Sequence, residues 1–116
     1  LLELKKAILK VAGEGDVFIL SMDLSHYKTP EAMAAEDEKT LPVLTGLIPS
    51  RTGEIDVDAR RAAALLLMIM KDLGVKEGTV IRRSDTSEIL GRRVESGTSY
   101  GTIVYERGRS GRGNGK

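Results

Sequence analysis

Residues 17–27 read VFILSMDLSHY. Four apolar residues lead into a compact polar cluster of Ser21, Asp23, Ser25, His26 and Tyr27, and His26 is the only histidine of the chain. An apolar run over 16–22, rich in Val, Phe and Ile and bounded by turn residues, predicts a strand covered on both faces. The polar cluster would then sit at the strand's C-terminal end. In open α/β sheets that is where ligands bind.

Working outward, Leu1, Leu4, Ile8 and Val11 recur at helical spacing, so 1–12 predicts an amphipathic helix, closed by GEGD at 13–16. Thr29-Pro30 supplies an N-cap and a first-turn proline, predicting a helix over about 30–40 that Pro42 breaks or kinks. The two Gly and one Pro of GLIPSRTGEIDV, 46–57, predict a loop. Residues 58–75, DARRAAALLLMIMKDLGV, predict a central helix over 58–73, apolar around most of its girth and stopped by Gly74. GTVIRRS at 78–84 and SYGTIVYE at 99–106 predict strands, with a polar loop at 84–98 between them. On the last strand Tyr100, Thr102 and Val104 share one face and Ile103 and Tyr105 the other.

A strand–helix–strand order implies a parallel crossover, so the expected class is α/β: a small layered sheet with covering helices. If the pairing is parallel, loops 23–29 and 84–90 leave adjacent strands on the same edge. Both are polar.

The bulk properties narrow the choices. The chain of 116 residues has the size of one domain, and with one Phe and three Tyr its core must be aliphatic. There is no cysteine, which excludes a disulfide framework, a thiolate metal site and a Cys nucleophile. It is compatible with a reducing cytoplasm, the expected location. Net charge is +1, but ERGRSGRGNGK at 106–116 carries +3, leaving −2 for the rest. The expected organisation is a folded unit over 1–106 followed by a basic, Gly-rich tail over 107–116 that buries too little to fold alone. So few charges without interleaved aromatics do not point to nucleic acid, and no apolar run reaches the roughly 20 residues needed to span a bilayer. Residues 1–12 do not resemble a signal peptide. The chain begins without Met, in mid-helix by pattern, so a longer parent protein is expected.

Several residues are candidates for chemistry, each with an ordinary alternative. An imidazole can serve as general acid or base near neutral pH. His26 could do so with Asp23 fixing its tautomer and Tyr27 or Ser25 supplying a hydroxyl; the ordinary alternative is a surface or capping histidine. A Ser–His–Asp hydrolase fits poorly, because no G-x-S-x-G elbow exists. Asp56 and Asp58 precede the long helix, where carboxylates commonly cap. The sharper reading makes Asp58 a metal ligand. One imidazole cannot build a two-histidine, one-carboxylate site unaided. Arg60 and Arg61 read as a solvated helix edge, and Met33, Met68 and Met70 as core filler.

Taken together, these residues resemble a family. ILSMDLSHY resembles the S-S-D-[LF]-[ST/C]-H-[YW] signature of the Memo-like proteins, also labelled AmmeMemoRadiSam system protein B. Asp37 matches an aspartate in the helix that follows, ALLLMIMKDLGV resembles the family's helix ending in L-G-[AV], and RRSDTSEILG and SYGTIVY resemble its closing segments. The resemblance spans nearly all of 1–106 and corresponds to the family's C-terminal half. It implies half of a fold shared with the class III, non-haem iron extradiol dioxygenases, with a cleft able to hold a metal: iron, or else copper or zinc. It further implies His26 as acid/base beside that metal, and Asp58 at the position of a third ligand that is often Cys. The two N-terminal ligand histidines have no counterpart in this chain, and Asp58-Ala59 replaces the Cys-Gly pair.

The resulting expectation is a Memo-like domain, dioxygenase-related and oxidative if active in the intact protein. His26, Asp23 and Tyr27 would be the catalytic group and Asp58 the metal ligand. The alternative is a non-enzymatic domain that binds a small molecule, peptide or protein in the same cleft. Because the expected strand over 17–21 is apolar on both faces, self-association or a partner chain covering the missing half is also expected.

Overall fold

The computed structural model describes residues 1–107, and the Gly-rich tail expected over 107–116 lies outside them except for Arg107. The described chain runs α1 (Leu2–Val11), α2 (Pro30–Thr45), a 3-10 turn (Pro49–Glu54), α3 (Arg60–Asp72), β1 (Gly78–Asp85), α4 (Thr86–Leu90) and β2 (Ser99–Tyr105). It is a mixed helix-and-strand structure. None of the described helices is long and apolar enough to cross a membrane.

The expected cap starts α2: the Thr29 side chain accepts from the Ala32 N–H at 3.2 Å, with Pro30 in the first turn. Pro42 does not end the helix, which continues to Thr45. Proline removes one helical donor, but Val43 and Leu44 immediately after it are buried in the core, and their packing holds the last turn in place. The core is aliphatic, as the composition requires. Leu24, Val43, Leu44, Leu67, Ile69 and Val75 all belong to it. Met33 and Met70 are buried as well. Gly74, at φ +88°, takes the left-handed turn that leads α3 towards β1, a conformation that favours glycine.

Besides the longer α2, four features differ from the sequence expectation. α3 begins at Arg60 rather than 58, with Ala59 as N-cap and no side-chain cap, so Asp58 is not spent on capping. The loop at 46–57 contains the 3-10 turn, and the loop at 84–98 contains α4, whose N-cap is Asp85. The fourth difference concerns 17–22, which forms no strand. Its burial still alternates with the period of two proper to extended chain: Phe18, Leu20 and Met22 pack against the core, while Val17 and Ile19 are 81% and 86% exposed. The stretch is therefore not covered on both faces.

Apolar composition supplies strand propensity, but a strand also needs a neighbouring edge to pair with. Here the pairing goes to the polar end of the segment. The Leu24 N–H donates to the Ser99 carbonyl at 3.0 Å, the Ser99 N–H to the Ser25 carbonyl at 3.0 Å, and Lys28 bridges Gly97 in antiparallel sense. The sheet itself has two strands, β1 and β2, antiparallel from Gly78↔Tyr105 to Asp85↔Ser99, with an irregularity between Val80 and Arg82. No parallel pair occurs among the described residues. Ile103 and Tyr105 face the core side of β2, while Tyr100, Thr102 and Val104 face outward, the division read from the sequence.

Candidate functional site

The site forms where the 23–28 segment meets the turn entering α3. Asp23 Oδ2 lies 3.1 Å from His26 Nε2, a spacing of three residues within one bend. The Asp23 N–H donates to Asp58 Oδ1 at 3.1 Å, and the Asp58 N–H approaches the Asp23 carbonyl at 3.4 Å. These reciprocal contacts clasp two segments 35 residues apart in the chain. One donor atom from each of Asp23, His26 and Asp58 lies within 4.8 Å of the others. Asp23 and His26 are half-buried and Asp58 is exposed.

A second tie reinforces the clasp. Lys28 Nζ stands 2.9 Å from Asp56 Oδ2, an oxygen with no hydrogen-bonded donor, so the nearby ammonium is what compensates its charge. The Asp56 N–H in turn meets Thr40 Oγ1 at 3.4 Å. Asp56, for which the sequence offered a capping role, thus ties the α3 entry to the His26 segment.

Tyr27 sits differently from the other candidates. Its backbone is left-handed at φ 57°, its side chain is 84% exposed, and its ring centroid is 5.8 Å from the His26 ring at a 39° tilt. Tyr27 lies between the Ser25–Ser99 and Lys28–Gly97 contacts, so the left-handed residue sits in an irregular stretch of one antiparallel pairing. Arg60 and Arg61 are exposed, as expected of a solvated edge, with Arg60 Nε donating to the Ile55 carbonyl at 3.1 Å. The 84–90 segment does not join this cluster; the Asp85 carboxylate instead caps α4 by accepting from the Glu88 N–H at 2.9 Å.

An apolar-lined groove lies elsewhere. Its volume is about 730 Å³, and it runs between residues 12–20 and β2, lined by Leu9, Phe18, Leu20, Ile103 and Tyr105 among others. None of Asp23, His26 or Asp58 lines it.

Sequence reasoning gave no role to a buried polar group beneath the site. Asp37, only 2% exposed, accepts from Arg83 Nε at 2.7 Å and from Ser99 Oγ at 3.1 Å, and Ser99 Oγ also meets Ser25 Oγ at 3.0 Å. The available signal was periodicity: Met33, Asp37, Thr40 and Leu44 recur at helical spacing on the buried face of α2, and a carboxylate stands within that stripe.

No protein-family model matches the chain, nor does any curated protein or solved structure.

Proposed function

We propose that the chain is a Memo-like, dioxygenase-related domain whose Asp23, His26 and Asp58 side chains hold a divalent metal ion. The observation that carries this reading is the convergence of three donor atoms within 4.8 Å. Metal–ligand bonds of roughly 2.0–2.2 Å put ligand atoms on one ion about 3–3.5 Å apart, so small side-chain shifts suffice to close the set. Two carboxylates and an imidazole suit iron(II) or zinc. A bound ion would supply Lewis acidity at this surface.

The chain's own residues supply the rest. As a ligand, the neutral His26 ring would give one nitrogen to the ion and keep its proton on the other, as metal-bound histidines do. Asp23 orients the ring, and Asp58, free of capping duty, offers its second oxygen. The proposed relation to the dioxygenase fold also requires 17–22 to join a larger, parallel sheet. Further ligands and that sheet would come from sequence corresponding to the family's N-terminal half.

A second reading is favoured by the separate apolar groove and by exposed Val17 and Ile19. In this reading the domain is non-enzymatic, and the groove receives a peptide, a second copy or a partner chain.

Calorimetric titration of the purified chain with zinc, and anaerobically with iron(II), tests the first reading. One ion per chain is expected, with affinity at least tenfold weaker in Asp58→Asn. Absence of uptake by the parent protein, or equal affinity in the variant, would overturn it and leave the binding domain.

A further inference from the structure

We infer that Asp37 is a positioning residue for the Asp23–His26 segment, acting through Ser99 and Ser25. This extends the metal-site reading but stands on its own geometry.

The direction of the chain of contacts follows from proton counting. A carboxylate only accepts, so the single hydroxyl proton of Ser99 goes to Asp37 Oδ1, 3.1 Å away. Ser99 Oγ must then accept from Ser25, whose Oγ is 3.0 Å away and whose N–H is 3.1 Å away. The Ser25 carbonyl meanwhile receives the Ser99 N–H at 3.0 Å. Ser25 is thus gripped through its amide, hydroxyl and carbonyl by one residue, and Asp37 fixes the orientation of that residue's hydroxyl. Ser25 and Ser99 are both fully buried, and Ser25 lies between Asp23 and His26 in the chain. Displacing Ser25 displaces both of them.

The stability contribution of Asp37 does not by itself explain a charge at this position. Replacing a buried ion pair by apolar side chains of similar volume is often neutral or stabilising, and Asp37 occupies a stripe otherwise suited to apolar packing. What an apolar residue could not do there is orient the Ser99 hydroxyl. Arg83, which donates to Asp37 at 2.7 Å and to Asp85 at 3.3 Å, anchors the carboxylate.

The full chain can test this with Ser99→Ala, Asp37→Asn and, as a control, the core change Ile69→Val. The single histidine makes the His26 ring signal assignable by NMR without further labelling. Both network variants are expected to shift or broaden that signal. In Ser99→Ala, amide exchange at Ser25 should accelerate at least tenfold, while Leu24, bonded to the Ser99 backbone carbonyl, stays protected. Zinc affinity should fall 10- to 100-fold, the range seen when residues behind metal ligands are removed. Ile69→Val should leave all three unchanged at comparable stability. Network variants that fold and keep the parent's His26 signal and Ser25 exchange would overturn the proposal. If the parent takes up no zinc, the metal reading fails, yet the ring signal and amide exchange still decide the role of Asp37. If Asp37→Asn does not fold, Ser99→Ala decides.

Discussion

Removing one oxygen in Tyr105→Phe tests how β2 is fastened to α2. The Tyr105 hydroxyl donates to the Leu44 carbonyl at 2.7 Å, and burial pushes its pKa from 10.0 up to about 12. The folded state therefore favours the neutral phenol. A raised pKa means that the stabilisation is complete below about pH 10 and is lost as pH climbs towards 12. Two pK units correspond to about 2.7 kcal/mol at most. The ring is only half-buried, so solvent screening reduces this to about 1–2 kcal/mol. At pH 7 the variant loses one hydrogen bond, a net effect of about 0.5–1.5 kcal/mol. The Leu44 carbonyl still meets the Leu47 N–H at 3.4 Å, so it is not orphaned. Urea unfolding followed by far-UV circular dichroism at pH 7, 9, 10, 11 and 12 is the assay. The parent should be about 1 kcal/mol more stable at pH 7, and its advantage should shrink or reverse by pH 12. A constant offset across the series would refute the reasoning, as would a variant equal to the parent at pH 7.

The same unfolding assay checks the remaining expectations. In Gly78→Ala the new Cβ would stand 2.6 Å from Tyr105 Cε1 and 2.8 Å from Ile103 Cγ2, so a loss of about 1–3 kcal/mol is expected. Tyr27→Gly should leave stability unchanged or slightly higher, because the ring is exposed and the left-handed backbone no longer meets a Cβ. Tyr27→Val should lower it by about 1–2 kcal/mol, since a β-branched residue resists that conformation. Leu67→Ala, at a fully buried core position, should lower stability by about 2–5 kcal/mol.

How much the sequence reveals depends on whether the deciding interaction is local. The Thr29-Pro30 start of α2, the Gly74 turn and the face assignment of β2 depend on neighbouring residues, and each could be read directly. Pro42 could not, because packing of Val43 and Leu44 from the other side of the core outweighs one missing helical donor. The expected strand at 17–22 is absent for a similar reason, since its pairing depends on which edge reaches it, and only 24–28 meets 97–99. At the site, Asp23, His26 and Asp58 were recognisable as chemical types, while the clasp between them joins segments 35 residues apart. Asp37 could be matched to the resembled family's helix aspartate but given no role, because its partners, Ser99 and Arg83, lie 62 and 46 residues away in sequence.

The Ser25–Ser99 contact spans 74 positions. During synthesis, the segment carrying Asp23 and His26 is made 74 positions before Ser99 exists to seat it. The entropy of closing this loop is met before the contact rewards it, so the imidazole and its carboxylates should acquire their arrangement only once Ser99 has docked.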